Sequence, residues 1–276
     1  MKCGTIQVME VQKEASDYYI LEQGLKKFTL PKNEATRPLQ KGEAVEVFVL
    51  ESFVTMHLPR LSLGEFDWVR VEEVSHEKIY VDIGTSELVE IDARDLPAYR
   101  KVWPQVGDYL YVVLKQKSSG RLFAVPAKER EFTHLIEEAY HLELNDKVTG
   151  RVIRTAREGT VLLTEEGYRA FIHRSEREEE PRLGEEVTAR IIEVKEDGTL
   201  NASLKPMKHE RLERDAEHIL QYLIEHDGVI PFDDYSPPEA IRSTFNMSKA
   251  AFKRALGRLM RQKKVEQRDG HTYLIE

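Results

Sequence analysis

A single cysteine, Cys3, stands in 276 residues. It has no partner, so an internal disulfide and a cysteine-rich zinc site are both excluded. No apolar run approaches the roughly 20 residues that a membrane-spanning helix needs; Val47-Phe48-Val49-Leu50 is typical of the runs present. The opening residues, Met1 to Thr5, lead straight into strand-like sequence without a hydrophobic stretch, which predicts no secretory signal. An overall excess of positive charge is also missing. The net charge is −8, so any nucleic-acid site must come from local clusters of Lys and Arg. A phosphate-binding glycine loop, a catalytic triad and a metal-spaced cluster are all absent from the sequence. His226-Asp227 lacks the further ligands of a metal hydrolase and reads as a helix end. The expectation is a protein with no cofactor, no bound metal and no enzymatic activity. An apolar content of 41% beside 33% charged residues fits a soluble, folded, cytoplasmic protein.

What is present is a repeat. Gly42-Glu43 leads the alternating run Ala44 to Val49. Gly107-Asp108 leads Tyr109 to Leu114, 65 residues later, and Gly184-Glu185 leads Glu186 to Ile191 after a further 77. Such a period means tandem units rather than one large core. The third unit reads as five strands: Val148 to Ile153, Gly159 to Leu163, Arg169 to His173, the glycine-led strand, and Leu200 to Leu204 after an Asp197-Gly198 turn. Five short strands in about 60 residues suit a small closed barrel. The first unit repeats the order with Ile6 to Val11, Tyr18 to Leu21, Lys27 to Leu30, Val45 to Leu50 and Val54 to His57. The second does so with Trp68 to Val71, Ile79 to Ile83, Glu87 to Ile91, Tyr109 to Leu114 and Leu122 to Val125. The chain therefore divides into barrels at 1–63, 64–127 and 143–206, with a helical connector at 128–142 and a different domain at 207–276. The connector helix spans Ala127 to Leu142, with Phe132, Leu135, Ile136 and Ala139 on one face.

From Lys208 the period changes. Ile219, Leu220, Leu223 and Ile224 mark an amphipathic helix stopped at Gly228. Ser236-Pro237-Pro238-Glu239 caps and starts a short helix, and Ser248 caps a longer one reaching about Lys264. Val265 to Arg268, an Asp269-Gly270 turn and His271 to Ile275 form a closing hairpin. Three helices and a hairpin are the order of a winged helix. The fold class is mainly β with a C-terminal α/β part: three five-stranded barrels of the oligonucleotide-binding type, then a winged helix.

Several motifs of the third unit resemble an S1 RNA-binding domain: Val148-Thr149-Gly150-Arg151-Val152, the Gly159 turn, Phe171-Ile172-His173-Arg174-Ser175-Glu176, Leu183-Gly184-Glu185-Glu186-Val187 and Asn201-Ala202-Ser203-Leu204. Val161 stands where typical S1 domains carry an aromatic. Unit two has Ile91-Asp92-Ala93-Arg94-Asp95 in place of the His-x-Ser-Glu corner. The whole arrangement is similar to the bacterial conserved virulence factor B family. That resemblance implies a cytoplasmic, non-enzymatic post-transcriptional regulator that binds single-stranded RNA.

Sequence-tolerant binding of a single strand needs aromatic faces for bases and cations for phosphates, close together on one barrel face. In unit three the candidates are Arg151, Arg154, Tyr168, Phe171, His173 and Arg174. Alternation puts one of Phe171 and Ile172 inside. With Ile172 in the core, Phe171 and His173 point out together. The competing reading has Phe171 filling the barrel and Arg174 merely solvating a loop. Tyr19, Phe28, Lys26, Lys27 and Lys32 form a similar set in unit one, and Tyr80 and Lys78 in unit two. Trp68 and Trp103 read as packing anchors. In the last domain, residues 247–276 hold eight Lys and Arg against three acids, a net of +5, and residues 208–246 hold four against nine, a net of −5. At about 100° per residue, Phe252, Ala255, Leu256, Leu259 and Met260 make one arc of the third helix. Lys249, Lys253, Arg254, Arg258, Arg261 and Lys264 make the other, fit for a groove or a phosphate backbone in structured RNA or duplex DNA. Two other function classes stay open: a DNA-binding transcriptional regulator that reads through the winged helix, and a ribosome-associated interaction scaffold.

Overall fold

The structure, a computed structural model, describes residues 3–275. The first five strands are β1 (Ile6–Glu14), β2 (Tyr18–Gln23), β3 (Lys26–Pro31), β4 (Ala44–Val49) and β5 (Val54–Thr55), in the order β3-β2-β1-β4-β5. A hydrogen bond from Met56 N to Glu34 O, 2.9 Å, joins the two edges and nearly closes the sheet. The second barrel, β6 (Phe66–Val74), β7 (Lys78–Asp82), β8 (Val89–Asp92), β9 (Tyr109–Gln116) and β10 (Leu122–Pro126), is closed. So is the third, β11 (Lys147–Thr155), β12 (Gly159–Thr164), β13 (Arg169–His173), β14 (Glu186–Val194) and β15 (Leu200–Ser203). In both closed barrels the last strand pairs parallel to the third, β10 with β8 and β15 with β13.

The glycine-acid repeat has one physical cause in all three units. Gly42, Gly107 and Gly184 have φ of 84°, 95° and 82°, a left-handed conformation that costs glycine little. Their amides donate to Val11 O, Val71 O and Val152 O at 2.7, 2.9 and 2.8 Å. The acids that follow, Glu43, Asp108 and Glu185, accept from the backbone amides of Gln40, Gln105 and Arg182. Each first strand bulges at the same place, between Val11 and Lys13, Val71 and Glu73, and Val152 and Arg154. The extra residue adds the bend that small barrels need.

The connector departs from expectation. In place of a helix over 127–142, the chain makes a 3-10 helix at Glu129–Leu135 and then runs extended. Glu137 N donates to Gly167 O at 2.9 Å and Ala139 N to Gly198 O at 3.0 Å. These bonds to barrel 3 replace helical ones. A side chain at Gly167 would lie 2.4 Å from Leu135 O, and one at Gly198 2.8 Å from Glu138 Cβ, so only glycine lets the connector settle there. Phe132 and Ala139 are buried as the periodicity requires, but against neighbouring segments.

Barrels 2 and 3 are joined through their glycine-led turns. Leu183 N donates to Val102 O at 2.9 Å, and Arg182 reaches the Asp108 carboxylate at 3.1 Å. A β-carbon on Gly184 would meet Tyr109 O at 2.6 Å. Trp68 packs in one apolar cluster with Tyr111, Phe132, Ile153, Val161 and Leu163. Trp103 packs on the core of barrel 2 and donates from Nε1 to Pro97 O at 2.7 Å. Both tryptophans are packing anchors, as expected.

Residues 206–276 form a second compact unit. It contains α1 (Lys208–Glu225), β16 (Val229–Ile230), α2 (Pro238–Phe245), α3 (Lys249–Arg261), β17 (Val265–Arg268) and β18 (His271–Leu274), with strand order β16-β18-β17. Phe245, Phe252, Leu256, Ile219 and Leu223 fill its core. Ser248 caps α3 as predicted, accepting from Ala251 N. Ser236 does not cap α2. Its hydroxyl accepts from Asp233 N at 2.8 Å and closes a turn, and Pro238 opens the helix, where a missing amide costs nothing.

Candidate nucleic-acid interface

Strand β13 settles which residues of barrel 3 look outward. Ala170 and Ile172 are fully buried, so Phe171 and His173 project from the other face. Phe171 lies opposite Val161 on β12 and beside Asn201 on β15, and His173 lies opposite Gly159. A β-carbon on Gly159 would stand 2.6 Å from the Phe171 ring and 2.4 Å from Ile172 O, so the glycine makes room for the ring to lie flat across the strand. An open groove is lined by Phe171, His173, Ile192, Lys195 and Asn201. A second hollow, lined by Arg157, Glu158, His173 and Arg174, adjoins it through His173.

The polar groups of the groove are oriented. His173 Nδ1 accepts from Ser175 N at 3.2 Å and contacts Ser175 Oγ at 2.8 Å. That leaves the proton of the neutral ring on Nε2, free to donate. The same corner closes the barrel, because Leu204 N donates to Glu176 O at 2.9 Å. Asn201 Nδ2 is held by Glu193 at 2.5 Å, and its buried Oδ1 has no partner among the described residues. A half-buried ring packed against the apolar cluster of Val161 and Phe132, an exposed imidazole, a half-buried amide and the cations Lys195, Arg157 and Arg174 thus border two adjoining hollows. These are the elements that bind a single strand by stacking and phosphate contact.

Lys195, Asn201, Ile192 and Arg157 were missed from the sequence. Alternation around Leu200 and Ala202 does mark Asn201 as outward. Lys195 and Arg157 sit in turns, and only the closed barrel places those turns beside β13.

Three predicted residues of barrel 3 serve other ends. Arg151 pairs with Glu186 at 2.9 Å and stacks its guanidinium on Tyr109 of barrel 2, 4.5 Å from the ring centre. Arg154 shares Glu129 of the connector with Arg169, each at 2.5 Å. Burial pushes the Glu129 carboxyl up, but the hydrogen bonds from Arg154 and Arg169 outweigh it, and the group lies below the usual carboxylate range. Tyr168 turns its hydroxyl to His141 Nε2 at 3.3 Å, with its ring against that imidazole. Val161, where S1 domains carry an aromatic, is buried in the cluster that contains the connector's Phe132. The connector covers the part of the face that such an aromatic would use.

The set predicted for barrel 1 does not assemble. Tyr19 is only 4% exposed and belongs to the core, its hydroxyl accepting from Leu39 N at 3.3 Å. Lys32 lies over the covered ring and pairs with Glu14 at 2.7 Å. Phe28 packs against the same core, while Lys26 and Lys27 are exposed.

In the second unit, α3 buries Phe252, Ala255, Leu256 and Leu259, as the apolar arc requires. Of the six cations, Arg258 pairs with Glu213 at 2.5 Å, Lys253 with Asp234 at 3.6 Å, and Lys249 donates to Tyr235 O at 3.2 Å. Arg254, Arg261 and Lys264 are exposed without an acidic partner among the described residues. On the wing, the Arg268 guanidinium lies 5.0 Å from the centre of the Tyr273 ring.

Comparison with known proteins agrees with this architecture. Residues 3–51 match an S1 domain, 66–125 the CvfB first S1-like domain, 132–206 the second domain of the virulence regulatory factor CvfB, and 217–274 the CvfB-like winged helix domain. The chain is 42% identical to the Bacillus subtilis protein YitL over 99% of its own length and 94% of the relative's. It is 37% identical to conserved virulence factor B of Staphylococcus haemolyticus, with coverage of 99% and 94%. The fold resembles a crystal structure from Streptococcus pneumoniae, described as a multidomain protein with nucleic acid binding domains. The TM-score is 0.67 at 33% identity, covering 99% of this chain and 98% of that one. No helix among the described residues is long and apolar enough to cross a membrane. Three S1-like barrels followed by a winged helix, with these relatives matched from end to end, place the chain in the conserved virulence factor B family.

Proposed function

We propose that the protein binds single-stranded RNA and acts in the cytoplasm as a non-enzymatic, post-transcriptional regulator. The observation that carries this reading is the outward pair Phe171 and His173, set in one open groove with Lys195 and Asn201. Stacking on such a ring contributes roughly 1–3 kcal/mol per base, and the cations supply a salt-dependent term without reading sequence. Two features favour a flexible single strand over duplex at this site: the groove is a concave barrel face, and its polar groups are suited to unpaired base edges.

The exposed cations Arg254, Arg261 and Lys264 of α3 favour a second contact, to structured RNA or duplex DNA, by the winged helix. Anisotropy titrations of labelled single-stranded RNA, competed with unlabelled single-stranded RNA and with duplex DNA at two salt concentrations, test both. The reading expects displacement by the RNA strand and weakening with salt. Displacement by duplex alone would replace it with a DNA-binding regulator.

A further inference from the structure

Barrel 2 presents the corresponding face with different chemistry. Val89 and Ile91 of β8 are buried inward, and Glu90 stands between them. It lies opposite Tyr80 on β7 and beside Phe123 on β10. The Glu90 side chain is 4% exposed, and three cations close over it: Lys78 Nζ at 2.6 Å, Lys117 Nζ at 2.5 Å and Arg121 Nη2 at 3.1 Å. Lys117 also lies 5.7 Å from the centre of the Phe123 ring.

Three cations on one carboxylate leave two positive charges in excess within hydrogen-bond reach of a single group. Burial pushes the Glu90 carboxyl up, yet the bonds from Lys117 and Lys78 and the charge of Arg121 hold it below the usual range, so it is ionised and neutralises only one of the three. The neighbouring acid, Asp92, is already held by Arg94 at 2.9 and 3.0 Å. Like charges a few Å apart repel one another even at high dielectric. A second anion relieves this repulsion. The cations are 33%, 45% and 52% exposed, so each can reach a ligand without leaving Glu90. Tyr80 and Phe123, half-buried on the same outward face, offer flat apolar surface beside them.

We propose that this face of barrel 2 is a second site for a single nucleic-acid strand. Lys78, Lys117 and Arg121 hold a backbone phosphate, Phe123 and Tyr80 take adjacent bases, and Glu90 is the positioning residue that gathers the cations. The proposal rests on the single-strand reading of barrel 3. Rings beside surplus charge distinguish the site from one for an acidic protein segment.

The test uses the full chain and an oligouridylate of about 35 nucleotides, enough for two barrels at up to about 16 each. Photo-crosslinking followed by peptide mapping is expected to mark the Phe123 or Tyr80 peptide as well as the Phe171 peptide. K117Q/R121Q is expected to weaken binding about 10-fold and to flatten the log-log salt dependence by about 0.7, the slope of one phosphate contact on a single strand. E90Q/K117Q/R121Q removes the carboxylate too, leaves no unpaired buried charge, and is expected to show the same loss. If this triple variant melts like the parent and binds with the parent's affinity and slope while F171A/H173A is weakened, the inference is overturned and the barrel 3 reading stands. Wild-type protein that fails to bind at low salt overturns both. Capture of oligoglutamate but not oligouridylate at this face overturns the inference in favour of an acidic protein partner.

Discussion

Glu90 and Phe171 occupy the same register position in two consecutive barrels. Each sits on the third strand between two buried aliphatic residues, opposite the second strand and beside the parallel fifth. One barrel places a ring there and the other a carboxylate gripped by three cations. The same register position therefore carries an outward ring in barrel 3 and an ionic cluster in barrel 2.

Phe171→Ala and His173→Ala are each expected to weaken single-stranded RNA binding about 10-fold, the lower part of the range for one stacking contact. Tyr168→Phe should leave affinity unchanged, since that hydroxyl faces His141. Anisotropy titration measures all three. Equal loss in the Tyr168 variant would move the site away from the groove.

Gly159→Ala should destabilise the protein by about 1–3 kcal/mol, the cost of overpacking. The new methyl meets a backbone carbonyl oxygen at 2.4 Å as well as the Phe171 ring. Its urea midpoint should fall, and RNA affinity should fall with it as the ring is pushed aside. An unchanged midpoint would show that the strand yields freely there.

Glu129 predicts an acid-side effect. Its carboxyl lies below its ordinary value of 4.5 in the folded protein. Folding stability drawn from its bonds to Arg154 and Arg169 is thus complete above that value and drains away as pH falls through the lower folded value. Glu129→Gln should cost about 1.5–3 kcal/mol near neutrality, the scale of hydrogen bonds to a charged group, and should flatten the acid limb of a stability-against-pH curve. Parallel curves for parent and variant would remove Glu129 from the account.

Residues 206–276 have their own core, so a chain ending at Lys205 should keep its barrels folded while binding RNA more weakly. Charge reversal at Arg254, Arg261 and Lys264 should reproduce the weaker binding and flatten the salt dependence by about 0.7 per lost contact on a single strand, or about 0.9 on duplex. Arg258→Glu should instead lower thermal stability, because it sets two acids face to face at Glu213. Unchanged affinity and slope in the truncated and reversed proteins would make α3 a solvated face.

Short-range chemistry made much of this protein legible in its sequence. A glycine in a left-handed turn, an acid that caps the same turn and an alternating strand are local requirements. They wrote the three repeats, the barrel order and the winged helix directly into the chain. Phe171 and His173 were readable for the same reason, since Ile172 between them is the better core residue.

Tertiary structure decided the rest, because it depends on contacts between segments far apart in the chain. The parallel pairing of β13 with β15 brings Asn201, and with it the turn that carries Lys195, to the groove. Backbone bonds at Gly167 and Gly198 hold the connector extended and override its helical periodicity. Packing of barrel 2 and the connector against barrel 3 engages Arg151, Arg154 and Tyr168, and folding of barrel 1 buries Tyr19. Residue type alone cannot separate a cation or ring that waits for a ligand from one already satisfied within the fold, because that depends on which partner the rest of the chain brings within reach.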